Sequence, residues 1–180
     1  MGQNCLAALT TGSYNMVVGR SAGVAITTAN HNNAMGLNAL SICTTGYENV
    51  AIGGNAASAL TTGYANVGIG IGAMQGGAQT GNSNVAIGRS AGYVLTSGVQ
   101  NVLIGAYASG VTTGTDNTCV GDEAGQAITT GVKNCAFGHG ALFTATTTNN
   151  NVAIGRDALY SATGTTNIGL GYKAGENISS

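Results

Sequence analysis

The sequence predicts an all-β fold: a parallel β-solenoid built from coils of about 17 residues. Three observations point there. The pentad Asn84-Val85-Ala86-Ile87-Gly88 returns at a fixed short spacing along the whole chain. Within each copy, small and large residues alternate with period two, as on a strand. No window shows a 3.6-residue period, and the frequent glycines would each cost a helix about 1 kcal/mol.

The pentad glycines are Gly2, Gly19, Gly36, Gly53, Gly70, Gly88, Gly105, Gly121, Gly138, Gly155 and Gly171, stepping by 17 residues with one step of 18 and two of 16. Residues 1–180 therefore read as a single repeat domain of about eleven coils. At roughly 4.8 Å per coil they make a rod about 50 Å long.

Each coil can be read from its pentad glycine, taken as position zero. Position −4 is asparagine in every complete copy: Asn15, Asn32, Asn49, Asn66, Asn84, Asn101, Asn117, Asn134, Asn151 and Asn167. An amide repeated at one corner can donate to one neighbouring coil and accept from the other. Such a ladder satisfies backbone groups that the turn would otherwise bury unpaired.

Position −1 is always large and apolar: Met1, Val18, Met35, Ile52, Ile69, Ile87, Ile104, Val120, Phe137, Ile154 and Leu170. Position −3 is Met16, Val50, Val67, Val85, Val102, Cys135, Val152 and Ile168, with the polar Asn33 and Thr118 as exceptions, and shares a strand face with −1. This bulky face is expected to form the buried spine of the rod. Position −2 is mostly Ala or Gly, so the reverse face is nearly flat and is expected to meet partner chains. Glycine at every zero position implies a bend or a close backbone approach.

Positions +1 and +2 vary and carry most of the charge: Arg20, Arg89, Asp122, Glu123, Arg156, Asp157 and Lys173. Glu48, Asp116 and Lys133 fall at −5, and no charge enters a predicted strand. Position +3 is Ala in every complete copy, and +4 alternates between Gly and a larger apolar group, which reads as a second short strand across a thin core. A Thr-Thr-Gly segment, as at Thr44-Thr45-Gly46, then makes an outer loop that absorbs the changes in length.

Composition narrows the function. Only 6% of residues are charged and the net charge is −1, which supplies no basic field for nucleic acid. No apolar run approaches the roughly 20 residues of a membrane span. Met1-Gly2-Gln3-Asn4 lacks a signal peptide's basic and apolar regions, so the expectation is synthesis without Sec export, or a piece of something larger. The cysteines Cys5, Cys43, Cys119 and Cys135 share no column, which argues against a metal site and for small buried hydrophobes. His31, His139, Asp122, Glu123 and Asp157 lie at corners with no matching nucleophile, so no enzyme and no cofactor are expected. The tyrosines sit in corners and loops. Tyr47 and Tyr64 share position −6 in adjacent coils, where packing on one another competes with stacking a sugar.

The motif Asn-Val-Ala-Ile-Gly-x-x-Ala resembles the head repeat of the YadA-like trimeric autotransporter adhesins. Similar repeats carrying a Thr-Thr-Gly insertion occur in phage tail-fibre proteins. The resemblance covers Gly2 to Ser180. It implies a left-handed parallel β-roll that forms a homotrimer. Family repeats are shorter, so the extra loop is this chain's own.

The function expected is thus a structural rod of a surface-attachment fibre, a virion tail fibre before a bacterial surface adhesin head, with a receptor or glycan bound through the outer loops. Two alternatives stand beside it. One is an ice-binding solenoid displaying threonine columns, although adjacent threonines point to opposite sides and the register slips at Gln79-Thr80, Thr112-Thr113 and Thr163-Gly164. The other is a subunit that docks head to tail into filaments.

Overall fold

The computed structural model describes residues 2–178. Ten three-residue strands carry the pentads: β1 (Met16–Val18), β2 (Asn33–Met35), β3 (Val50–Ile52), β4 (Val67–Ile69), β5 (Val85–Ile87), β6 (Val102–Ile104), β7 (Thr118–Val120), β8 (Cys135–Phe137), β9 (Val152–Ile154) and β10 (Ile168–Leu170). They form one parallel sheet in chain order, β1 to β10. Every pair is in register, so Val85 lies on Val102 and Ile87 on Ile104. The solenoid follows directly: each strand pairs with the next after one trip around the coil.

Ten strands bound nine complete turns, against about eleven coils expected. Residues before β1 and after β10 add part turns only: Leu6 N donates to Ala22 O, and Ser161 N to Glu176 O. Met1, the first member of the −1 column, lies outside the described residues.

The invariant glycine has two causes. At Gly88 φ is +130°, a region closed to residues with a Cβ. A Cβ placed there would also lie 2.5 Å from the Gly105 carbonyl oxygen of the next coil. The strand therefore ends in a bend with backbone against backbone.

Two expectations are corrected. Position +4 does not begin a second strand. Residues 89–94 run through consecutive turns, and each coil holds one strand. Left-handed backbone recurs at three places per coil: at +2, as in Ser90; at +4, as in Leu142 (φ 52°); and at −5, as in Gln100. The chain thus turns its corners with single left-handed residues.

The second correction concerns the strand faces, which are inverted. In β8, Ala136 is fully buried while Phe137 is 53% exposed. The same holds along the sheet: the −2 residues Ala34, Ala51, Ala86, Leu103, Cys119 and Ala153 are buried. The expected spine faces outward. Val18, Met35, Ile52, Phe137, Ile154 and Leu170 are exposed, and Ile69, Ile87, Ile104 and Val120 are partly so. The reason is the width of the coil. Its interior already holds the buried +3 alanines, such as Ala91 and Ala141, and the −4 asparagines, leaving space for little more than one large side chain in most coils.

In most coils that side chain comes from +4 or from +7; the coil of Gly105 has Ser109 and Thr112 there and buries Leu103 at −2 and Val111 at +6 instead. Where +4 is Gly23, Gly92 or Gly125, position +7 is Ile26, Leu95 or Ile128. Where +4 is Leu40, Leu142 or Leu159, position +7 is Cys43, Ala145 or Ala162. Each such side chain contributes roughly 1.5–3 kcal/mol by burial.

Candidate interaction surfaces

The asparagine ladder is the most ordered polar feature. Asn49 N and Nδ2 both donate to Asn32 Oδ1, at 3.0 and 3.1 Å. Asn32 Nδ2 donates to Asn15 Oδ1 at 3.2 Å and to Gly46 O at 2.8 Å. The pattern repeats from Asn15 through Asn49, Asn66, Asn84, Asn101, Asn117, Asn134 and Asn151. At the end of the column Asn167 N donates to Asn151 Oδ1, while Asn167 Nδ2 has no partner among the described residues. The ladder is buried along most of its length, so its chemistry is spent on holding coils together.

The strand face presents the opposite chemistry. Its −3 and −1 columns form an outward, mostly aliphatic stripe along all ten strands, with Cys135 and Phe137 on β8 and polar interruptions at Asn33 and Thr118. Ten strands at about 4.8 Å per step make it roughly 43 Å long. A contiguous exposed apolar stripe of this kind is a candidate interaction surface.

The threonine segment gives two columns. Inner-column hydroxyls are used within the rod: Thr61 Oγ1 donates to Gln79 O at 3.0 Å and Thr96 Oγ1 to Thr112 O at 2.8 Å. The outer column is exposed: Thr11, Thr28, Thr45, Thr62, Thr80, Ser97, Thr113, Thr130 and Thr147. It keeps register through the changes of coil length, since Thr80 N and Thr113 N make equivalent bonds, to Thr96 O and Thr129 O. The slips expected at Gln79-Thr80 and Thr112-Thr113 therefore do not break this column.

Several aromatic rings stack on their own neighbours. Tyr47 lies on Tyr64 with centroids 4.8 Å apart, Tyr14 on His31 at 4.9 Å and Phe143 on Tyr160 at 4.8 Å. Tyr47 and Tyr64 are thereby closed to a sugar between them.

The cysteines are free thiols. Burial pushes Cys43 up to about 11 against a Gly46 backbone hydrogen bond, and Cys119 up to about 12. Cys135, one strand over from Cys119 and of opposite parity, points outward and is half-buried. Asp157 takes His139 at 3.7 Å and Arg156 at 3.4 Å on the surface. Among the described residues no group of three potential metal ligands converges, and no helix is long and apolar enough to cross a membrane.

A surface feature that sequence reading missed is a notch of about 140 Å³ lined by Ser90, Tyr93, Val94, Tyr107, Ser109, Gly110 and Gln126. Its signal was present: the 16-residue coil from Gly105 to Gly121 is short where its neighbours carry Tyr93 and Gln126. No protein-family model, curated protein or solved structure matches this chain.

Proposed function

We propose that the chain is a non-enzymatic structural rod of a surface-attachment fibre, working as a homotrimer of left-handed β-rolls. A phage tail fibre in the virion is the first setting and a bacterial adhesin head the second. One observation carries this reading: the aliphatic columns at −3 and −1 face outward along the whole sheet. A lone rod would leave that stripe in water, whereas rotation of three copies about a common axis buries it in a closed assembly. The rest of the coil supports a shaft, being a regular stack tied through by a buried amide ladder. The repeat's resemblance to adhesin heads and tail fibres adds the biological setting, and the exposed loops are where a receptor or glycan would be held.

The test is sedimentation equilibrium on the pure protein. The reading expects three copies of the 17.6 kDa chain. A stable monomer at micromolar concentration overturns it.

The exposed outer threonine column supports a second reading, ice binding, because it runs unbroken from Thr11 to Thr147 with Ser97 as the single exchange. Thermal hysteresis in the pure protein would establish it, and its absence would remove it.

A further inference from the structure

We propose that the notch at Tyr93 is a monosaccharide subsite, taking one hexopyranose ring of a surface glycan. This rests on the surface-attachment reading and assigns that function a place.

The site is a missing rung in an aromatic column. Position +5 of consecutive coils is Tyr93, Gly110, Gln126, Phe143 and Tyr160. Farther along this column Phe143 is covered by Tyr160 one coil away, with parallel rings and centroids 4.8 Å apart. Tyr93 has no such cover, because the next rung is Gly110. On its other side the ring edge lies near the Gly76 backbone, where an added Cβ would stand 3.3 Å from Tyr93 Cδ1. One side of the ring thus opens onto a slot, with Gln126 two coils away as its far wall. Two coil steps leave about 9.6 Å from wall to wall, so an inserted ring sits about 4.8 Å from Tyr93. That is the spacing the protein's own stacked rings adopt.

The chain cannot fill the slot from within. A Cβ on Gly110 would run into the Gln126 carbonyl oxygen, so that rung has to stay glycine. The neighbouring Tyr107 is held at the rim by the Arg89 guanidinium, 4.7 Å from its ring centroid. Ser109 is already engaged, its Oγ accepting from Val111 N at 3.1 Å. The groups left to orient a ligand are the Gln126 amide, the Tyr93 and Tyr107 hydroxyls and Ser90.

This set suits a pyranose. One face of the sugar carries C–H groups, which are drawn to the negative face of an aromatic ring, while its edge carries hydroxyls for an amide. A volume of about 140 Å³ is well below that of a drug-sized site and matches a single ring. No strand residue lines the notch, so it is separate from the aliphatic stripe.

The test is saturation-transfer NMR on the full chain with methyl glucopyranoside, methyl galactopyranoside and N-acetylglucosamine as probes, and with phenol as a planar aromatic probe. The proposal expects saturable, millimolar binding of at least one sugar, weakened about tenfold or more by Tyr93→Ala and severalfold by Gln126→Ala. Tyr47→Ala, in a closed stack, should leave it unchanged. No sugar signal, a signal indifferent to Tyr93→Ala, or binding of phenol alone overturns the proposal. Sedimentation of the same sample separates the two readings: a trimer without sugar binding removes the subsite and keeps the fibre, and a sugar-binding monomer does the reverse.

Discussion

Gly23 and Ile26 share one volume inside their coil. A Cβ on Gly23 would lie 3.0 Å from Ile26 Cδ1 and 3.2 Å from Leu6 Cδ2. The exchange recurs in several coils: Gly23, Gly92 and Gly125 at +4 go with an isoleucine or leucine at +7, and Leu40, Leu142 and Leu159 at +4 with a small residue there. Gly23→Leu alone should destabilise by about 1–3 kcal/mol through overpacking and through left-handed backbone on a leucine. Ile26→Ala alone should cost about 2–5 kcal/mol by opening a cavity. The double variant reproduces the pattern of Leu142 and Ala145, so the two losses should fall short of additive by about 1 kcal/mol or more. Urea denaturation of the four proteins checks this, and simple additivity would show that the two positions do not share space.

Asn101 is the rung whose removal should be felt most. It accepts from Asn117 N and Nδ2 at 3.0 and 3.1 Å and donates to Asn84 Oδ1 and Gly114 O, both at 3.0 Å. Asn101→Ala leaves the buried Asn117 N and Gly114 O without partners, since Asn84 Oδ1 keeps the Asn101 backbone N and Asn117 Nδ2 keeps Gly131 O, at about 1–3 kcal/mol for each group left unsatisfied. The expected loss is about 3 kcal/mol or more, read as a lower denaturation midpoint. Asn15→Ala should cost less, because that rung is only partly buried. Equal losses would argue against a cooperative ladder.

The period and the strand positions were legible because the repeat is written in residues that each do one job, glycine for the bend and asparagine for the ladder. The face assignment failed at Ile87 and its column because a rule for thick cores was applied to a thin one. Bulky residues usually mark the inside, but here Ala91, Asn84 and Leu95 already occupy it. The +7 residues Ile26, Leu60 and Ile128 were overlooked since they fall where the loop also changes length. The notch at Tyr93 was hidden for a related reason: an absent residue beside Gly110 makes it, and no motif records an absence.

Alkaline pH should destabilise the rod through its inward thiols. Burial holds Cys43 at about 11 and Cys119 at about 12, above the ordinary 9.0. A thiol whose folded value is raised contributes stability that is complete below pH 9 and lost as pH rises through the folded value. The loss should therefore run from about pH 9 to about 12. The double variant Cys43→Ala with Cys119→Ala should show a shallower fall over that range in urea midpoints. At pH 8 a thiol reagent should reach the outward Cys135, slowed where the proposed trimer seam covers it, and leave Cys43 and Cys119 untouched until unfolding.

Ile87→Lys separates a core spine from an interaction stripe. Ile87 points away from the interior on β5, with buried Ala86 beside it. If the −1 column were the core, a lysine there would bury a charge, and the chain would not fold. With the column outside, a single coil gains a solvated charge and keeps its strands, so the fold should survive with a loss within about 0.5 kcal/mol for the isolated chain. Assembly is another matter. In a trimer closed over this stripe, three lysines meet in an apolar seam, and the like charges cannot be desolvated together. The expected outcome is a folded monomer by circular dichroism and sedimentation, with Cys135 labelled faster than in the parent protein. A variant that stays trimeric would show that the copies meet elsewhere, and an unfolded one would return the aliphatic column to the core.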